Sequence, residues 1–362
     1  MKRLLKIIEA VRPTFEEGGK LRAFKPVFGA LEHFFFAPST TTIGAPHVRD
    51  PLDLKRLMSM VIISVVPSVL AAFYFFGLRF FLMIVVSYAA GLTVEALFAM
   101  VRKEGINEGF FVTGILFPLI LPPTLPLWMV AVGVAFGVFI GKELFGGTGR
   151  NIFNPALVGR CFLALAYPKT MSASWLEPGT QLAGRLFQYV DASNVDVISS
   201  ATPLAQAKSG EMCSISHLFL GSVSGSAGET SAIVIIIGGV FLLLTRVANW
   251  RTVVSILGSF VLLAGMLHHS QPERVGPVLW HLFAGGLLFG AFFMATDPVT
   301  SPTTNTGKWL YGILIGTVTV LIRNFTGYVE GVTFAILLGN ITAPILDEIV
   351  FSIRLRRLAR EG

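Results

Sequence analysis

Beyond residue 56 the chain falls into apolar blocks close to the length of a membrane span, joined by short polar or Gly/Pro-rich connections. The blocks lie near 57–76, 80–101, 110–122, 125–141, 151–167, 231–245, 252–268, 278–294, 309–322 and 331–350. A helix needs about 20 apolar residues to cross a hydrocarbon core. The blocks near 110–122 and 151–167 are short and interrupted by Gly and Pro, the pattern of broken or re-entrant helices buried in protein. The reading is an all-α integral membrane chain of ten transmembrane helices. Its expected divisions are a cytoplasmic N-terminal region 1–56, a first membrane half 57–169 of five spans, a periplasmic loop 170–230, a second half 231–350 of five spans, and a basic cytoplasmic tail 351–362.

Composition agrees. The chain is 53% hydrophobic and 14% charged, with mean hydropathy +0.72, against about 25% charged residues in soluble domains. A soluble enzyme, a disordered chain and a disulfide scaffold are excluded; Cys161 and Cys213 stand far apart with no motif beside either. With the N-terminus inside, 21 Lys and Arg face the cytoplasm and 6 the outside (Arg79, Lys169, Arg185, Lys208, Arg274 and Arg323), with Arg160 left inside a span. That split follows the positive-inside rule. Residues 1–56 lack the unbroken apolar core and small-residue cleavage site of a signal peptide, and it is residues 1–12 that carry an amphipathic pattern. They set Leu4, Leu5, Ile8 and Val11 against Lys2, Lys6 and Arg12, either a surface-lying amphipathic helix or an ordinary solvated helix end.

An internal echo sets Pro122-Pro123-Thr124, Trp128, Gly133 and Gly137 beside Pro298-Val299-Thr300, Trp309, Gly312 and Gly316. The two Pro-Thr elements fall on opposite sides of the membrane, as two inverted five-helix repeats of urea-transporter-like architecture require, with a site expected where the repeats meet.

No dinucleotide fingerprint, P-loop, CxxC or HExxH is present, so a subunit of something larger is expected rather than a lone enzyme. The outer loop holds Asp196-Val197-Ile198-Ser199-Ser200-Ala201-Thr202-Pro203. By composition this is a turn, with Asp196 able to cap the residues after it; it also suits a modification site, with small neighbours and an acid near a hydroxyl. Asp196, Ser199, Ser200, Ala201 and Thr202 resemble the flavinylation motif of a periplasmic flavin transferase. The chain as a whole resembles the B subunit of the sodium-translocating NADH:quinone oxidoreductase. The likeness is carried by His47-Val48-Arg49-Asp50, the Asn107–Thr113 stretch, Gly141-Lys142-Glu143 with Gly146–Gly149, Asn154-Pro155-Ala156-Leu157, Gly228-Glu229-Thr230, Phe293–Pro298 and Thr306–Trp309.

The resemblance implies FMN joined through its phosphate to Thr202, a non-covalent riboflavin toward the cytoplasmic half, and Na⁺ as the transported ion. Asn151 and Asn154 offer paired donors and acceptors for an isoalloxazine edge, or N-caps for the fifth span; both readings stand. Intramembrane ionisable residues are functional candidates because burying charge is costly, here Glu95, Arg160 and Asp347. The family places Glu95 and Asp347 on the Na⁺ path and Phe289 and Phe293 at its gate; without the likeness these two phenylalanines read as packing or lipid-facing. Arg160 reads as an ion pair or flavin contact, Asp297 as a cap or turn residue, and His281 as a satisfied core histidine. Gly91 matches a glycine tied to quinone binding, although Leu92 stands where the family pattern has a second glycine. His47 suits either a quinone contact or an interface contact.

The implied function is electron transfer from covalent FMN through riboflavin to ubiquinone or another quinone, coupled to Na⁺ export, in the bacterial inner membrane with both termini cytoplasmic. Implied partners are a periplasmic flavin subunit, membrane subunits, a cytoplasmic NADH-oxidising subunit and the transferase. Two alternatives remain: the D subunit of the related ferredoxin:NAD⁺ oxidoreductase complex, and a non-redox channel.

Overall fold

The computed structural model describes residues 12–14, 28, 54–103, 109–179, 183–190, 201–272, 275–328 and 330–361. The amphipathic reading of residues 1–12, His47 and most of the flavinylation motif, including Asp196, Ser199 and Ser200, lie outside them apart from Arg12. Among the described residues the chain is all helical. In the first half α1 (Leu54–Phe76) and α2 (Leu78–Arg102) are long, α3 (Gly109–Leu119) is short, and α4 (Leu127–Gly141) and the short α5 (Pro155–Ala166) follow. The connection to the second half carries three single-turn helices, α6 (Pro168–Ala173), α7 (Pro203–Lys208) and α8 (Ile215–Leu220). Then come α9 (Ala232–Leu244), α10 (Trp250–Ser270), α11 (Val278–Phe283), α12 (Leu287–Phe289) leading into a π-turn (Gly290–Met294), α13 (Asn305–Phe325) and α14 (Val332–Glu361).

Among the described residues five helices are long and apolar enough to cross a membrane: those beginning at Arg56, Leu78, Leu127, Trp250 and Val332. The segments expected to be short, α3 and α5, are 11 and 12 residues long, and α9 joins them with 13. The end of α3 shows how a broken helix is tolerated at depth. Its Leu119 and Leu121 carbonyls accept from the Gly228 and Ala227 amides, and the buried Arg79 donates to the Thr124 and Leu125 carbonyls. Irregular backbone is thus satisfied by protein where water is excluded. Across the structure the α11 break is closed in the same way, with Arg323 Nη1 donating to the His281 carbonyl at 2.8 Å.

Three charges assigned to loops therefore sit in the interior. Arg79, Lys142 and Arg323 are each about 3% exposed, because carbonyls and a carboxylate in the interior need donors. The echo of glycines also has unequal uses. Gly133 and Gly137 let α4 approach α5, where an added Cβ at Gly137 would lie 2.4 Å from the Pro155 carbonyl oxygen. Gly312 and Gly316 instead admit Ser255 and Ser259 of α10. Asn340 ties the halves together: its Oδ1 accepts from the Asn154 amide, and its Nδ2 donates to the Thr300 carbonyl and the Tyr311 hydroxyl.

Candidate functional site

Two cavities flank α5. The one on the side of the 168–230 connection, called the outer cavity for that connection and set against the inner cleft at the start of α5, measures about 520 Å³, within the 300–1,000 Å³ of small-molecule sites. Thr202 and Ala201 stand on its wall. Thr202 is the N-cap of α7: its Oγ1 accepts the Ala205 amide at 3.3 Å, and Pro203 takes the first helical position, where its missing N–H costs nothing. The turn is fastened at both ends. Leu204 enters a small outer core with Leu218, Trp280 and Ala284, and Lys208 donates to the Thr326 and Tyr328 carbonyls beyond α13 at 2.9 and 3.1 Å. Trp280 Nε1 donates to the Cys213 carbonyl at 2.9 Å, holding the connection against α11.

The deep wall of this cavity is charged. Arg160 of α5 donates to Glu229 Oε1 at 3.1 Å and also to Glu330. Glu330 Oε1 accepts the Gly286 amide at 2.6 Å, and the two carboxyl groups are within hydrogen-bonding reach of each other. Gly285, at φ +66, opens the chain between α11 and α12; a Cβ on the next residue, Gly286, would lie 2.4 Å from Glu229 Oε1. Arg160 accordingly fills the ion-pair reading and also faces a cavity. The Thr333 hydroxyl lines the same space, buried without a hydrogen-bond partner.

These features fit the expected flavin. The aromatic faces of Trp175, Phe283, Tyr328 and Phe334, a buried guanidinium and an orphaned hydroxyl line a space of the right size. The hydroxyl that would carry the phosphoester stands on its wall.

The inner cleft behaves differently. Asn151, Asn154, Lys142, Phe293 and Asp297 line it, but it holds only about 70 Å³, too little for a tricyclic ring. Its amides are already engaged: Asn151 Oδ1 accepts the Gly149 amide and its Nδ2 donates to the Phe153 carbonyl, while Asn154 caps α5 through the Ala156 amide at 3.0 Å. The capping reading holds for Asn154, Asn151 being spent on the turn before α5, and the described residues do not fit riboflavin here.

Glu95 is buried in α2 and paired at 2.7 Å with Lys142, which follows α4; Arg102 pairs with Glu143 at 2.8 Å beside it. The Asp347 carboxylate accepts the amides and hydroxyls of Thr303 and Thr304, four donors that lock the start of α13 to α14. Asp297 acts as a turn residue, accepting the Val299 amide and the Thr300 hydroxyl. Phe289 and Phe293 are buried, not lipid-facing, with ring centroids 4.9 Å apart across the start of the π-turn. The Gly91 surface is covered by the Phe110 ring, 2.5 Å from where a Cβ would sit, and Leu92 packs against the core. The expectation for His281 needs correction. Its ring meets Trp280 edge-on, but its buried Nδ1 lacks a hydrogen-bond partner; Arg323 engages only the backbone carbonyl.

Sequence reading did not single out Lys142, Glu330, Arg323 or Thr333 as site residues. The signal available was a lone acid or base beside a Gly-rich break, as at Gly331 for Glu330 and Gly141 for Lys142.

The model of the NQR2, RnfD, RnfE family matches residues 41–355. A relative from Azotobacter vinelandii, named as the B subunit of Na(+)-translocating NADH-quinone reductase, is 40% identical over 98% of this chain and 98% of its own length. Relatives of the same name from Klebsiella pneumoniae (strain 342) and Pseudomonas aeruginosa (strain UCBPP-PA14) are 38% and 37% identical over 98% and 99% of this chain, and 99% and 100% of their own lengths.

Proposed function

We infer from its place in the NQR2, RnfD, RnfE family, to which this chain belongs, that it is the B subunit of a sodium-translocating NADH–quinone reductase. It is a membrane subunit of a multi-subunit translocase with a quinone substrate, and is not active alone. Relatives matched over nearly their whole length carry the B-subunit name, which favours this reading over the ferredoxin-linked D subunit. The observation that carries the residue-level reading is Thr202, on the wall of a cavity of about 520 Å³ with a buried arginine in its depth. A plain channel gives no reason for that aromatic and charged pocket.

In this reading Thr202 Oγ1 bears FMN as a phosphoester, placed there by a flavin transferase acting on Asp196–Thr202. When bound, the flavin supplies one-electron carrier chemistry. Trp175, Phe283, Tyr328 and Phe334 exclude water and orient the ring, and α7, fixed through Leu204 and Lys208, holds the attachment point. Electrons enter from a periplasmic flavin subunit and leave for ubiquinone or another quinone near Gly91; they originate at the NADH-oxidising cytoplasmic subunit. No step runs through riboflavin.

On the Na⁺ path, Glu95 is the better candidate of the two acids. Na⁺ would exchange for the Lys142 ammonium, one cation for another, whereas Asp347 would have to release four donors. Phe289 and Phe293 sit on a π-turn, a geometry frequent at functional sites, and form its gate. Ten spans in two inverted halves, with both termini cytoplasmic in the inner membrane, accommodate this arrangement, the short α3, α5 and α9 being spans completed by irregular segments. In-gel ultraviolet fluorescence of the denatured chain, produced with the transferase, tests the reading. A fluorescent wild-type band absent from Thr202→Ala is the expected result; a dark wild-type band beside a labelled control protein refutes it.

A further inference from the structure

We propose that Arg160 is the counter-charge of the flavin in the Thr202 cavity, with Glu229 and Glu330 as the positioning residues that hold its guanidinium there; this rests on the flavin reading above. The three side chains come from separate regions: Arg160 from the middle of α5, Glu229 from the segment before α9, and Glu330 from the segment before α14. All three line the cavity.

A buried ion triad is a poor device for stability, because apolar residues of similar volume often do as well or better. Its placement against open space, with Gly286 kept free of a side chain to admit both carboxyl groups, points to use by an occupant. The charges around the cavity favour an anion. Arg323 lies behind the triad, its Nε and Nη2 buried without hydrogen-bond partners, and His281 stands next to it with an unpartnered Nδ1. Lys169 lines the same cavity. Two carboxyl groups this close share a proton more readily than both ionise. One proton between Glu229 and Glu330 leaves two guanidinium charges against one carboxylate.

The balance is simple. One electron reaches the flavin from the NADH-derived flow of the complex and later leaves toward quinone. Arg160 neither makes nor breaks a bond; it lowers the energy of the added negative charge from the buried deep wall of the cavity.

The test is a spectroelectrochemical titration of the whole purified complex, reading the redox step that disappears in Thr202→Ala, with in-gel fluorescence reporting attachment. Arg160→Gln is expected to lower that midpoint potential, Arg160→Lys to leave it near wild type, and the double variant Glu229→Gln/Glu330→Gln, which removes the one negative charge the pair carries, to raise it, with the fluorescent band retained in all three. Opposite shifts are the signature of a counter-charge, since a purely structural triad would shift both in one direction or neither. Shifts of one sign, or none, with the band intact overturn the proposal and leave the flavin reading standing. A wild-type band without fluorescence overturns both. Should Arg160→Gln fail to assemble, the double variant Glu229→Gln/Glu330→Gln decides: a raised potential supports the assignment, and an unchanged one refutes it.

Discussion

The two cavities beside α5 each keep one orphaned hydroxyl, Thr148 in the inner cleft and Thr333 in the outer cavity, yet they use their other polar side chains differently. In the inner cleft Asn151 and Asn154 spend their amides on nearby backbone, within two residues of themselves, and Lys142 is consumed by Glu95. In the outer cavity the partners come from far along the chain, so Arg160, Glu229 and Glu330 face a space instead of closing it. A polar residue near a cavity is therefore a ligand candidate only after its local backbone has been served.

The largest expected effect is at the outer cavity. Thr202→Ala abolishes covalent flavin completely by in-gel fluorescence, while the lost N-cap costs only about 1 kcal/mol, so the chain still assembles. At the inner cleft the largest effect is on stability. Lys142→Met leaves Glu95 buried without its counter-ion and is expected to cost about 3–5 kcal/mol, seen as faster thermal inactivation of the detergent-solubilised complex. Adding Glu95→Gln should recover most of that loss. Asn154→Ala should cost about 1 kcal/mol as a lost cap and leave the Thr202 band at full intensity; a large loss of bound flavin instead would mean that the inner amide does more than cap. The smallest effect is again at the outer cavity. In the flavin-free Thr202→Ala background, Thr333→Val removes a hydroxyl that bonds to nothing and should raise the thermal midpoint slightly, by about 1 kcal/mol in stability.

Much of this was legible in the sequence. The all-helical, apolar character of the chain from Leu57 onward, the short third and fifth segments, and Glu95 and Arg160 as interior charges all follow from hydropathy and the cost of burying charge. The Asp196–Thr202 motif and the Gly228–Thr230 stretch pointed to the family. Lys142, Arg79 and Arg323 were misplaced in loops because each sits at a helix end, where charge counting expects water; their partners lie 47, 45 and 42 positions away. Glu330 reads as an ordinary loop acid for the same reason. Its partner Arg160 is 170 positions earlier, a pairing that no local pattern encodes. The π-turn around Phe293 was equally hidden, since one extra residue in a helical turn leaves the apolar composition unchanged.

The two arginines that close the broken helices differ in when they exist. Arg79 precedes the carbonyls of Thr124 and Leu125, so during N-to-C synthesis the first break emerges with its donor already made. The second break is made the other way round: His281 leaves the ribosome before Arg323. A nascent chain paused between Phe283 and Arg323 carries an uncapped helix end, while the corresponding pause after Leu125 does not. Maturation of the second half is thus tied to completion of α13, and a truncation before Arg323 removes the closure of a helix it leaves otherwise whole.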